Sequence, residues 1–241
     1  MTEAVAVIVG AGDAIGSAIA RKFAARGLTV CALRRNADKL EPLVNELADK
    51  GQRVLAFQCD ARKEEQIIDC FSAIEVDVGP IEVVVFNIGA NVPMGILDTD
   101  SRKFFKIWEM ACFAGFLTGR EAARYMLPRG KGTLLFTGAT ASVRGSAGFA
   151  AFASAKHGLR ALAQSMAREL GPKNIHVAHV IIDAAVDTQW IAENLPQAEA
   201  LKQTNGLVEP DDLADNYVML HEQPRNSWTF ELDIRPWSEK W

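Results

Sequence analysis

Short apolar runs alternate along the chain with stretches in which apolar residues recur every three or four positions. Residues 4–9 form an uninterrupted apolar run, the pattern of a parallel strand covered on both faces. In residues 15–26, Ile15, Ile19, Ala20 and Phe23 share one helical face. The alternation continues with strands at 28–33 and 54–58, and with helical spacing through Leu40, Leu43, Val44 and Leu47 and through Ile67, Ile68, Phe71 and Ile74. Strands at 81–87 and 133–137 flank a helical region at 102–126. A long helix at 150–170 leads to a sixth strand at 175–182, and a seventh is expected at 229–234. Strand and helix repeated in this way predict an α/β fold, a doubly wound parallel sheet of about seven strands with helices on both faces. There is no linker, low-complexity tract or short repeat. Residues 188–207, polar and broken by Pro196, are the candidate mobile segment.

Composition narrows the function classes. The chain has 241 residues, 49% hydrophobic and 23% charged, with a formal net charge of −4, so there is no basic footprint for nucleic acid. No apolar run reaches membrane-spanning length, and Met1-Thr2-Glu3-Ala4 lacks the positive region expected of a signal peptide. Cys31, Cys59, Cys70 and Cys112 lack metal-type spacing and read as reduced thiols, so a cytoplasmic protein with no bound metal is expected.

The first strand runs into Gly10-Ala11-Gly12-Asp13-Ala14-Ile15-Gly16 and then a helix. Glycines at such a turn let the backbone approach a pyrophosphate, and the helix start offers free N–H groups and a favourable dipole. The loop resembles the G-x-x-x-G-x-G loop of the short-chain dehydrogenases/reductases, with Gly10 and Gly16 in register and Ala14 in place of the middle glycine. Further landmarks follow in the family's order. Asp60 and Ala61 follow the third strand, on the adenine side. Asn87-Ile88-Gly89-Ala90 stands for the family's Asn-Asn-Ala-Gly, and Arg168-Glu169-Leu170 precedes the sixth strand. The resemblance covers nearly the whole chain. It implies one Rossmann-type NAD(P)-binding domain over residues 1–241, strand order 3-2-1-4-5-6-7, and a homotetramer or homodimer. A tryptophan-rich end (Trp228, Trp237, Trp241) fits such packing. At the end of the second strand, Arg34 and Arg35 replace the acid that would hold an unmodified ribose, which suits the 2′-phosphate of NADP(H).

The family's catalytic asparagine, serine, tyrosine and lysine fall at Ala111, Ala139, Phe152 and Lys156. Only Lys156 is retained, where it would hold the nicotinamide ribose. A phenyl ring cannot exchange a proton. After the sixth strand the family's Pro-Gly pair is missing. Asp183 stands there as a candidate acid, a loop carboxylate or a helix cap, and Thr188 as a contact to the cofactor. Thr140, Ser142 and Ser146 are pocket or loop hydroxyls. Phe149, Phe152 and Trp190 are pocket or core walls, His157 faces away from Lys156, and His179 belongs to the core. Two functions stay open. One is an NADPH-dependent reductase with displaced acid/base chemistry, acting on an enoyl-type acceptor; the family's dienoyl-CoA reductase branch also departs from Tyr-x-x-x-Lys. The other is a non-catalytic NADP(H)-binding sensor or oligomer partner.

Overall fold

A computed structural model describes residues 4–239. Seven parallel strands form one sheet in the order β3-β2-β1-β4-β5-β6-β7. The strands are β1 (Val5–Val9), β2 (Thr29–Arg34), β3 (Val54–Gln58), β4 (Ile81–Phe86), β5 (Gly132–Thr137), β6 (Ile175–Ile182) and β7 (Glu231–Ile234). The period of two along each strand sends alternate residues to opposite faces. Ala6, Ile8, Val30, Ala32, Val83 and Val85 feed one core layer. It is closed by α1 (Ile15–Ala25), α2 (Glu41–Asp49) and α9 (Pro210–Glu222). Val5, Val7, Cys31, Leu33, Val84 and Phe86 feed the other. That layer is closed by α3 (Glu64–Ala73), α5 (Ala114–Met126) and α6 (Ala150–Leu170). Strands buried on both faces are mostly apolar, which is why the inner ones read as runs. Among the described residues no helix is long and apolar enough to cross a membrane.

Chain order reverses between β1 and β4, whose residues pair up to Val9 and Phe86. The crevice beyond the carboxyl ends of these two strands is where such sheets hold ligands. Gly10 turns out of β1 here with φ +89°. A Cβ on it would lie 2.8 Å from the Asn87 carbonyl oxygen, so glycine is required on both counts.

The helical region at 102–126 differs from its pattern. It is α4 (Ser101–Trp108), a π-turn over Glu109–Phe113, and then α5. The residue added by a π-turn swells the helix, a distortion that periodicity hides. It carries Ala111 and Cys112 against α6. Gly158 on α6 accepts this approach, since a Cβ there would meet Cys112 Sγ at 2.9 Å. β7 starts later than expected because Gln223 claims Thr229, accepting from its N–H at 2.7 Å and donating to its hydroxyl at 2.8 Å. Residues 188–207 hold two short helices, α7 (Gln189–Asn194) and α8 (Ala198–Gln203). A bridge between Val186 and Val208 clasps the segment at its base. Trp190, expected as a pocket or core wall, is 62% exposed on α7, because this two-turn helix buries no side chain. Trp228 stacks on His176, and Trp237 donates to the Thr204 carbonyl; Trp241 lies outside the described residues.

Tyr217 on α9 is fully buried and shares a hydrogen bond of 2.7 Å with the Thr137 hydroxyl at the end of β5. Tyr217→Phe leaves that hydroxyl unpaired at a cost of about 1–3 kcal/mol. The melting temperature should drop by several degrees, at about 2–4 °C per kcal/mol for a chain of this size. An unchanged melting curve would show that the bond contributes nothing.

Candidate active site

A groove opens at the β1/β4 switch point. Gly10 and Gly12 form one wall, Arg34 and Arg35 close one end, Asp60 and Ala61 the side, and Asn87 and Gly89 the floor toward β4. These residues were expected at a nucleotide, and the fold brings them together. Gly16 lies beneath the loop, where a Cβ would strike the Gly10 carbonyl oxygen at 2.6 Å. Ser17 donates its hydroxyl to the Gly12 carbonyl at 2.8 Å and holds the turn. Ala14 precedes α1 and gives it no side-chain cap; the Ser17 N–H is taken by the Gly12 carbonyl at 2.9 Å, which leaves the Ile15 and Gly16 amides of the first turn to face an anion. Ile15 turns away and packs into the core. Asn87 ties the loop to β4, its side-chain amide donating to the Gly10 carbonyl at 3.2 Å.

Two of the three arginines that line the groove are already paired. Arg34 meets Asp13 at 2.6 Å, and this bond holds the Asp13 carboxyl below the usual range. Arg62 grips Asp60 through two nitrogens, Nε to Oδ1 at 2.8 Å and Nη2 to Oδ2 at 2.5 Å, and lowers the Asp60 carboxyl likewise. Arg35 is exposed at the same end. Asp13, Ala14 and Thr188 border a neighbouring depression rather than the groove itself. Thr188 caps α7, its hydroxyl accepting from the Ile191 N–H at 3.1 Å.

Deeper in, Lys156 is 2% exposed. Its Nζ donates to the Thr137 carbonyl at 2.7 Å and to the Ile88 carbonyl at 3.1 Å. It lies 5.9 Å from the centroid of the Phe152 ring. Phe152 and Ala111 share one buried cluster, against which Ala139 packs. Burial pulls the Lys156 ammonium from 10.5 to about 7, with Cys112 pulling weakly the other way.

The other candidates are committed. Asp183, 5% exposed, accepts a short hydrogen bond from the Thr140 hydroxyl and lies 3.5 Å from Arg235 and 3.8 Å from Arg144. It fastens the β6 end to β7 and to the loop after β5. Ser142 is buried and its hydroxyl accepts from the Ala139 N–H at 3.1 Å. Ser146 is exposed and Phe149 half-buried. His157 faces solvent, bonded to the Ala153 carbonyl. His179 is fully buried beside Glu231 at 3.1 Å, and burial lowers it to about 4, so it is neutral at pH 7.

Arg62, Met110 and Ile88 were missed in the sequence. Arg62 had a signal, two positions after an aspartate in a turn. Ile88 serves through its carbonyl, which no residue type announces.

The short chain dehydrogenase family pattern matches residues 4–199, and the chain belongs to that family. A solved short-chain dehydrogenase from Rhodopseudomonas palustris is 51% identical, covering 98% of this chain and 100% of that one, with a TM-score of 0.84. A metagenomic short-chain oxidoreductase solved with NADP is 26% identical over 98% and 97%, with a TM-score of 0.83. The 2,3-dihydro-2,3-dihydroxybenzoate dehydrogenase of Bacillus subtilis is 27% identical over 230 residues, 90% of this chain and 88% of the relative. The family consists of oxidoreductases that use nicotinamide cofactors. The glycine cradle, the uncapped helix start and the guanidinium cluster fit such a dinucleotide.

Lys156 gives the cofactor-free protein a pH signature. Between about pH 7 and 10.5 the unfolded chain keeps a proton on Lys156 that the folded chain has lost. Stability contributed by this group therefore rises with pH across that window, by up to about 1.4 kcal/mol per unit. Urea unfolding at pH 7 and pH 9 should show wild type gaining relative to Lys156→Met. A pH-independent difference between the two would contradict the assignment.

Proposed function

We propose that the protein is an NADP(H)-dependent reductase of carbon–carbon double bonds conjugated to a carbonyl, with Lys156 as its proton-exchanging group. The observation that carries the reading is the apolar floor made by Ala111, Ala139 and Phe152, with a buried lysine near neutral pKa beside it. A nicotinamide held in the groove supplies a hydride. Gly10, Gly12 and Gly16, with the α1 start, hold the pyrophosphate; Asp60 and Ala61 flank the adenine; Asn87, Gly89, Lys156 and Thr188 serve the nicotinamide end. Arg34 and Arg35 take the 2′-phosphate, which replaces Asp13 as the Arg34 counter-ion. The metagenomic relative solved with NADP supports this cofactor.

Ketone reduction develops charge on one oxygen and needs a donor aimed at it. Ala139 and Phe152 carry none. Hydride addition to a conjugated double bond spreads the charge over an enolate, whose α-carbon then takes a proton from Lys156. A lysine titrating near 7 is matched to that task. We assign no proton transfer to Asp183, whose oxygens are committed to Thr140 and two arginines. Residues 188–207 are proposed to close over the substrate. The exposed Trp237 and Leu97 support self-association as a dimer or tetramer, which light scattering reads directly.

The test is an acceptor panel with NADPH and NADH. Conjugated enones or enoyl thioesters should oxidise NADPH, and saturated ketones should not. NADPH should bind about tenfold or more tightly than NADH, the worth of a charge-assisted pair, and Arg34→Asp should erase the difference. Rate should fall as pH rises through about 7, where Lys156 loses its proton. Lys156→Met should lose about 10²–10⁴-fold in kcat. Ketone turnover as fast as enone turnover would refute the reading. Tight NADPH binding with no accepted substrate would establish a non-catalytic binder, which the internally committed Thr140, Ser142 and Asp183 favour as the second reading.

A further inference from the structure

Asp13 is the one charged residue of the glycine loop, and the fold sets it against Arg34. The Gly10 and Ala11 N–H groups both donate to the Leu33 carbonyl, at 3.1 and 3.2 Å, so the loop is fastened to the end of β2 through its backbone. Arg34 follows Leu33 and reaches Asp13 with two nitrogens, Nη1 to Oδ1 at 2.6 Å and Nη2 to Oδ2 at 3.3 Å. This parallel pairing occupies the end of the guanidinium fork, the geometry in which arginine also takes a phosphate. The Arg34 side chain is 22% exposed and the Asp13 side chain 80% exposed, so the carboxylate is the outer partner. A carboxylate has about four acceptor positions, and the pair uses two of them. Asp13 therefore keeps acceptor capacity beside the groove end that Arg34 lines.

We propose that Asp13 is a specificity-determining residue that holds down the preference of the groove for a phosphorylated ribose. The inference rests on the NADP(H) reading and deepens it. A 2′-phosphate meets Arg34 only after displacing Asp13 from it. The carboxylate and a phosphate monoester of charge about −1.5 to −2 then stand at one guanidinium and repel each other. An unmodified 2′-hydroxyl brings no charge. It leaves the ion pair intact and donates to the free acceptor positions of Asp13. The acid missing from the end of β2 is thus supplied from the facing loop. Arg35 lines the same end and belongs to no ion pair among the described residues. It meets the phosphate without displacing a carboxylate, which keeps NADPH ahead of NADH.

Removing the Asp13 charge therefore acts on the two dinucleotides in opposite directions. NADPH gains, because Arg34 is free to meet it and no carboxylate repels the phosphate. NADH loses, because its ribose hydroxyl has lost an ionised acceptor. A residue that only shaped the loop would move both affinities the same way, since both dinucleotides carry the same pyrophosphate.

The test is calorimetric titration of the native full chain, Asp13→Asn and Asp13→Ala with NADPH and with NADH. The carboxylate is exposed, so both variants should fold, and matched melting curves check this. NADPH should bind both variants about two- to fivefold more tightly, the worth of an exposed ion pair that no longer has to be broken. NADH should bind Asp13→Ala about tenfold more weakly, the loss of one hydrogen bond to a charged group. Asp13→Asn should weaken NADH by less, because its amide oxygen still accepts. Parallel shifts for both dinucleotides, or unchanged affinities, would overturn the role of Asp13 while the NADP(H) reading stands. Native chain that binds NADPH with no detectable NADH would overturn it as well. If the native chain binds neither, the NADP(H) reading fails and the role of Asp13 falls with it.

Discussion

Lys156 holds a buried nitrogen between the carbonyls of Thr137 and Ile88, and the carboxyl edge of the sheet is organised around it. The Ile88 contact joins β4 to α6. The Thr137 contact joins β5, and the Thr137 hydroxyl carries the connection on to Tyr217 of α9. On the other side Asn87 reaches back to Gly10, so the glycine loop, β4, β5, α6 and α9 meet through a few polar contacts in an otherwise apolar interior. An ammonium is costly to bury when its only partners are neutral carbonyls. The same burial that lowers its pKa makes it a group able to exchange a proton near neutrality.

The surroundings of this lysine bear on its role as much as its position. Thr140 and two arginines hold Asp183, Ser142 is turned to the backbone of Ala139, and His179 is neutral against Glu231. Asp13 and Asp60 neutralise two of the arginines at the groove end. An anion entering there would exchange one carboxylate partner for another, which costs less than leaving a guanidinium unpaired.

The sheet was legible because its inner strands, such as β1 and β4, are buried on both faces and are largely apolar. Gly10 was legible because a positive φ beside the Asn87 carbonyl admits little else. The groove residues followed from motifs fixed close to strand ends. The π-turn was not legible, since one added residue leaves helical spacing almost intact while redirecting Ala111 and Cys112. Nor were the partners of Asp183, Ser142 and Tyr217, which come from elements distant in sequence or from backbone groups.

The most direct measurement is the titration of Lys156 itself, followed by NMR of protein carrying ¹³C at the lysine ε-carbons and assigned with Lys156→Met. A midpoint near pH 7 is expected for this one lysine. A Lys156 midpoint at or above about pH 10, the range of exposed lysines, would contradict the account.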